Sequence, residues 1–447
     1  MMYSREIELL LKRKRIKPGD RIRVIKGKQI YEGYLLPRIE LGDKNCIVIK
    51  LDNGYNIGIR FEKGVKIEKV KGRRKLEVFP KLEIKQREDL PGIALIATGG
   101  TIASRVDYLT GGVKMAMKPE EILFAVPKLR DLVSFVELRS PFCLASEDMC
   151  YEHWQEMARM AARLLNKKSV RGVVITHGTD TMHYSAAALS FMLRSLNKPV
   201  VFTGAQRSSD RGSSDATMNL TCACVIAAYS DIAEVGICMH ATSSDDYCHF
   251  IRGTRARKMH TSRRDAFRSI NEKPLARVWP NKRIKIINEN YKKRSDSKVK
   301  VDAKFEPRVA LLKAFPGSDP RIIDKLVELG MRGIVIEGTG LGHVPTSTPR
   351  KKLSWTPHIR EAIESGVTIA MTSQCIYGRV HPYVYRNLRI ISQLGVIYCE
   401  DMIPEVAYVK LGWVLGHTKS KRKIRELMLR NLAGELSKRT CYDTFLI

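Results

Sequence analysis

From residue 92 to the end of the chain, continuous apolar runs alternate with stretches of helical periodicity. IALIATGG (93–100), GVVITHGTD (172–180), KPVVFTGAQ (198–206) and AEVGICM (233–239) each have the form of a strand buried on both faces that runs into polar or glycine residues. WQEMARMAARLLN (154–166) and SAAALSFMLRSL (185–196) lie between them and predict helices. Apolar strands alternating with helices predict an α/β fold, a parallel sheet with helices on both faces. A second set follows: RVALLKAF (308–315), GIVIEGTG (333–340) and VTIAMTSQC (367–375), with helices expected at 321–330 and 357–365. The first 80 residues differ. A short charged helix over 5–15 and a turn at 17–20 precede short β-rich runs, RIRVI, YEGYLLPRI, NCIVIKL, YNIGIRF and VKIEKV, punctuated by Gly, Asp and Asn. That spacing predicts a small all-β, barrel-like N-terminal domain. The expected organisation is therefore a barrel-like domain at 1–80, a linker at 81–91, a first α/β domain at 92–285, a connector at 286–306 within a charged run, and a smaller α/β domain with a basic tail at 307–447.

Charge changes this picture. The 447 residues carry 78 Lys and Arg against 47 Asp and Glu, a formal net charge of +31. Residues 1–80, 251–300 and 417–447 sum to +11, +13 and +5, so a nearly neutral body bears three basic blocks. Clustering of this kind points to nucleic acid as a partner and sets contact with RNA against a basic proteome background. No apolar run reaches the ~18 residues of a membrane span, and the first 20 residues lack the apolar stretch of a secretory signal. The ten cysteines contain no C-x-x-C pair, and Cys222 and Cys224 lie in an apolar helical stretch. Reduced thiols and a cytoplasmic location follow as expectations. No metal site is expected, because His177 and His183 lack ligand spacing.

Chemistry concentrates where the apolar strands end. Three ends are rich in hydroxyls: Thr98-Gly99-Gly100-Thr101, Thr176-His177-Gly178-Thr179-Asp180-Thr181, and Thr203-Gly204-Ala205-Gln206. Functional groups of parallel sheets gather at such ends. Glycine admits close approach of substrate to backbone N–H groups, and threonine offers a nucleophile that needs a base. P-loop and G-x-S-x-G patterns are absent. Taken singly, T-G-G-T also reads as a tight turn and H-G-T-D as a helix start capped by Asp180.

In combination, TGGTIAS (98–104) and ITHGTDTM (175–182) resemble the two signature motifs of the bacterial-type L-asparaginase and glutaminase family. SEDM (146–149), VVFTGAQRSSD (200–210) and KMHTSRRDAF (258–267) support the resemblance, which covers about 92–416. It implies a two-domain asparaginase-like fold. It also implies Thr101 as primary nucleophile, and Thr179, Asp180 and Lys258 as a second catalytic group. Gly100, Ser146, Glu147 and Gly178 become substrate-binding candidates, Tyr108 a lid residue in the loop 104–113, and His177 a support for its turn. Glu337 is a pocket wall or a strand-end cap, and Leu388 stands where the family often has glycine. The N-terminal extension, with EGTGLGHVP (337–345), TSQCIYGRV (372–380) and LGVIYCEDMIPEVAYVKLGWVLG (394–416), resembles the branch of that family serving the archaeal glutamyl-tRNA(Gln) amidotransferase. This narrower resemblance implies hydrolysis of glutamine, with no cofactor on this chain. The ammonia would pass to the partner GatE, which uses ATP and Mg²⁺ to amidate Glu-tRNA(Gln). A homodimer within a heterotetramer is implied as well. A free-standing asparaginase/glutaminase and a catalytically inactive RNA-binding scaffold are the competing readings.

Overall fold

The computed structural model describes residues 3–37, 43–53, 55–70, 87–100, 104–106, 113–115, 126–208 and 213–446. Thr101 and Tyr108 lie outside the described residues.

The N-terminal unit starts with helix α1 (Arg5–Arg13) and continues through β1 (Arg21–Lys26), β2 (Gln29–Leu35), β3 (Cys46–Lys50), β4 (Asn56–Arg60) and β5 (Lys66–Lys69). The five strands pair antiparallel in the order β4-β3-β2-β1-β5, so the meander folds back to place β5 beside β1. Alternation puts Ile22, Val24, Ile47, Ile49 and Ile67 on one face, where Ile7 and Leu11 of α1 cover them.

The larger unit is built on β6 (Gly92–Ala97), β9 (Ser134–Arg139), β10 (Val173–Thr176), β12 (Val200–Thr203) and β13 (Val235–His240), with a two-stranded ribbon of β7 (Ser104–Val106) and β8 (Val113–Met115) apart from the sheet. Those five strands are mutually parallel, as the apolar runs predict. The sheet as a whole is mixed. β14 (Cys248–Arg252), β17 (Ala276–Val278) and β18 (Ile284–Ile286) extend it antiparallel, giving the order β18-β17-β14-β13-β12-β10-β6-β9. The predicted parallel sheet is thus present, and the further strands join it antiparallel because of how they are connected. Short links join β13 to β14 and β17 to β18, and residues 253–275 between β14 and β17 hold no helix, so the crossover helix that parallel pairing needs is missing from each connection. Part of the charged run expected as connector supplies the edge strand β18, and Lys300–Val301 (β19) pairs with Leu193–Arg194 (β11). That pairing also ends the helix expected over 185–196 at Met192.

Helices α2 (Tyr151–Leu165), α3 (Met182–Met192) and α4 (Ala216–Tyr229) cover the sheet. The second unit is a parallel sheet of β20 (Val309–Lys313), β21 (Gly333–Gly338), β22 (Thr368–Ser373) and β23 (Ile397–Tyr398), with α5 (Arg321–Glu328), α6 (Trp355–Glu364) and α7 (Arg386–Gln393). Leu388 lies inside α7, buried in the core with Trp355, Ile359 and Met371. Its position is helical, so a side chain serves there as a core residue and no glycine is required.

Helix α8 (Pro404–Leu415) joins the two units, packing Trp413 near Phe191 of α3. Helix α9 (Lys421–Leu429) follows, and the chain beyond it is tied back by a fully buried ion pair, Lys410 Nζ to Glu435 Oε1 at 2.5 Å. Lys410 also donates to the carbonyls of Met428 and Arg430, and Glu435 accepts from the backbone N–H groups of Leu432 and Ala433. Glu435→Ala should strand the ammonium and cost about 3–5 kcal/mol, read from denaturant unfolding of the variant. Among the described residues, no helix is long and apolar enough to cross a membrane.

Candidate active site

Strands β6, β10 and β12 are neighbours in strict register, with Ala97 opposite Thr176 and Thr176 opposite Thr203. The three hydroxyl-rich ends therefore emerge side by side. Gly100 has φ +82°, a left-handed conformation, and a Cβ there would sit 2.4 Å from the backbone N of Gly178. Glycine is required on both counts. Gly178 is itself a close approach, since a Cβ would lie 2.8 Å from the Cβ of Ser146. T-G-G is thus a tight turn and a site element together.

Ser146 arrives after β9, whose extension is held by the bridge between Gly99 and Leu144. It braces the second motif: Thr181 Oγ1 donates to the Ser146 carbonyl at 2.6 Å and the Thr181 N–H to Ser146 Oγ at 3.4 Å. Ser146 Oγ also reaches Glu147 Oε2 at 3.5 Å, and Glu147 is exposed. Thr181 occupies the position preceding α3, so Asp180 does not cap that helix.

Asp180 has a different partner. Lys258 Nζ donates to Asp180 Oδ1 at 2.6 Å and to Thr179 Oγ1 at 2.9 Å. Lys258 comes from β15 (Ala256–Lys258), paired in a two-stranded ribbon with β16 (Phe267–Ser269). The lysine side chain is 9% exposed and Asp180 67%. The ammonium is thus sheltered while its carboxylate faces solvent, and Thr179 is buried between. Of the nine candidate site residues, Gly100, Ser146, Glu147, Gly178, Thr179, Asp180 and Lys258 are described, and all seven lie on these converging segments.

His177 is fully buried, and burial pushes its imidazole down to about 4. A neutral ring satisfies its surroundings, with Nδ1–H donating to the Gly178 carbonyl at 2.7 Å and Nε2 accepting from Ser185 Oγ at 2.9 Å. Its geometry is that of a turn support. Glu337 ends β21, and its carboxylate lies 3.6 Å from Lys313 Nζ.

A further group joins Gln206 of the third strand end to residues outside any motif. Thr179 Oγ1 faces Gln206 Oε1 at 3.5 Å. The turn carrying Gln206 is gripped from below by Asp215, which accepts the backbone N–H of Gln206 and Arg207, and by Asn219 Nδ2, which donates to the Gly204 carbonyl at 2.9 Å. Asn219 Oδ1 in turn accepts from His240 Nδ1, and His240 Nε2 meets Asp245 at 2.9 Å. The signal was a single Asn inside the apolar run NLTCACVIAA, since a buried amide implies buried partners.

A parallel sheet whose strand ends assemble Thr, Asp and Lys over tight glycine turns defines an amidohydrolase of the asparaginase type. Family models agree: "Asparaginase, N-terminal" matches residues 92–292, "Glutaminase/Asparaginase C-terminal domain" 308–428, and "GatD N-terminal domain" 16–70. The thermostable L-asparaginase from Thermococcus kodakarensis superposes with a TM-score of 0.69 at 29% identity, covering 78% of this chain and 100% of that one. Two relatives match from end to end. The D subunit of glutamyl-tRNA(Gln) amidotransferase from Pyrococcus furiosus is 52% identical over 99% of this chain and 100% of its own length. That of Methanothermobacter thermautotrophicus is 48% identical over 100% of both. The chain belongs to the GatD family of glutamyl-tRNA(Gln) amidotransferase subunits. It is an enzyme, the glutamine-hydrolysing subunit of a tRNA-dependent amidotransferase.

Proposed function

We propose that the chain releases ammonia from glutamine at the converging strand ends and passes it to the partner GatE, which uses ATP and Mg²⁺ to convert Glu-tRNA(Gln) to Gln-tRNA(Gln). The observation that carries the catalytic part is the Lys258 ammonium shared between Thr179 Oγ1 and Asp180 Oδ1. In this reading the Thr101 hydroxyl attacks the side-chain carboxamide carbon and gives up its proton as the bond forms. Collapse of the tetrahedral species expels the amide nitrogen, which takes a proton and leaves as ammonia. Water then hydrolyses the glutamyl ester. Thr179, Asp180 and Lys258 serve as the relay: Asp180 holds the lysine, and the lysine orients the Thr179 hydroxyl. Backbone N–H groups near Gly100 and Thr179 face the developing oxyanion, a role worth ~3 kcal/mol per donor. Ser146, Glu147 and Asp180 take the polar ends of glutamine, and Tyr108 closes over it. No cofactor is assigned to this chain, which works as a homodimer within a heterotetramer in the cytoplasm. The ten free cysteines suit a reducing compartment.

The test measures glutamine hydrolysis by the chain alone, with GatE, and with GatE plus Glu-tRNA(Gln), beside a Thr101→Ala variant. Stimulation by the additions and loss in the variant are expected. Strong hydrolysis of free asparagine, indifferent to both additions, would favour a free-standing asparaginase instead.

A further inference from the structure

Lys258 is the last residue of a three-residue strand whose ladder partner is β16 alone, outside the main sheet. So short a ribbon holds its register poorly by itself. Side chains alternate along a strand. Lys258 turns to Thr179 and Asp180, while Arg255 and Arg257 turn to the second unit. Arg255 Nη1 pairs with Asp401 Oδ2 at 2.9 Å, and Arg257 Nη2 with Glu405 Oε1 at 3.0 Å. Asp401 just precedes α8 and Glu405 stands in its first turn, where the helix dipole favours a carboxylate.

Glu405 is 7% exposed, and its Oε2 has no hydrogen-bond partner among the described residues. Burial pushes its carboxyl up, and the Arg257 guanidinium draws it back down. A buried, half-satisfied carboxylate is unfavourable for stability alone, where an apolar residue would serve better. His183, packed behind the same strand, is pushed down to about 3 by burial and by the charges of Arg257 and Lys258, so it stays neutral and adds no positive charge that would compete for Glu405.

We infer that Glu405 is a positioning residue for amide hydrolysis: acting through Arg257, it anchors β15 to the second unit and keeps the Lys258 ammonium within reach of both Thr179 and Asp180. The second unit then contributes to catalysis without supplying a reacting group. The inference rests on the reading of Lys258 as catalytic.

The test uses the full chain together with GatE. Glu405→Gln keeps shape and removes charge, so it is the variant of choice should Glu405→Ala fail to fold. Glu405→Gln and Arg257→Leu should each lower kcat on glutamine by about 10- to 100-fold with KM within about twofold, as expected of a catalytic group displaced by a fraction of an ångström. The double variant should be no slower than the slower single one, because both changes break one link. Wild-type kcat in Glu405→Gln, a change confined to KM, or fully multiplying losses in the double variant would overturn the inference. Lys258→Ala separates the two levels. Its loss of activity beside an unimpaired Glu405→Gln overturns only the positioning role. Retained activity in Lys258→Ala overturns the reading of the site and the inference with it.

Discussion

Replacing Lys258 by alanine is expected to lower kcat for glutamine by about 10³-fold while leaving KM nearly unchanged, the middle of the range for removing a proton-transfer group. The lysine makes two short contacts from one nitrogen, 2.6 Å to Asp180 and 2.9 Å to Thr179, and it makes them under near-complete cover. Alanine leaves Asp180 with solvent and Thr179 with only the long contact to Gln206. Lys258→Arg should rescue little, because a planar guanidinium on a longer stem cannot place one donor between both oxygens. Steady-state kinetics of the two variants in the assembled enzyme decide it. An alanine variant within tenfold of wild type would remove Lys258 from the mechanism and return it to the basic surface from which its motif selected it.

Gly100→Ala should damage stability and activity together. The residue sits at φ +82°, and the added Cβ would lie 2.4 Å from the N of Gly178 and 2.6 Å from its Cα. Backbone on both sides leaves no flexible side chain to yield. The left-handed penalty and the overpacking sum to roughly 2–5 kcal/mol. Because Gly100 and Gly178 belong to adjacent motifs, relief of the clash must part the strand ends that hold Thr179 and Asp180. A loss of activity of about 100-fold or more is expected beyond that from unfolding. Thermal unfolding and glutaminase rates on the folded fraction test both parts. Unchanged activity at unchanged stability would mean that the two glycine turns do not form one site.

The fold was largely legible in the chain. Residues such as Val173–Thr176 and Val200–Thr203, apolar on both faces, have few environments other than the interior of a parallel sheet. What escaped notice was short or lacked a strong period. β14, β17 and β18 are three to five residues each, flanked by charges, and they gain their register from the strand beside them. The leg of the site that runs from Gln206 back through Asp215 and Asn219 to His240 was equally hidden beyond Gln206, since Asp215, Asn219 and His240 are spread along the sequence and carry no motif. Their pairing is a property of the packed interior.

The charge distribution divides the two kinds of information most clearly. By sequence, residues 251–300 are the most basic block, and any of its cations suits a phosphate. In the folded chain every Lys and Arg from 252 to 273 has a carboxylate partner: Arg252 with Glu234 and Glu272, Arg255 with Asp401, Arg257 with Glu405, Lys258 with Asp180, Arg263 and Arg268 with Asp265, Arg264 with Asp245, and Lys273 with Asp443. Arg252, Arg255, Arg257 and Lys258 serve the interior and the site, while Arg263 and Lys273 make their pairs at the surface. Sequence alone determined the strand and helix pattern and the glycine turns, because each follows from local sterics or short-range periodicity, while the candidate site residues came from the motif resemblance. Only the tertiary structure decided that Arg252, Arg255 and Arg257 are claimed by other carboxylates and leave Asp180 to the lysine the motif names, because ion pairing depends on distance in space, and those carboxylates lie 18 to 148 residues away along the chain.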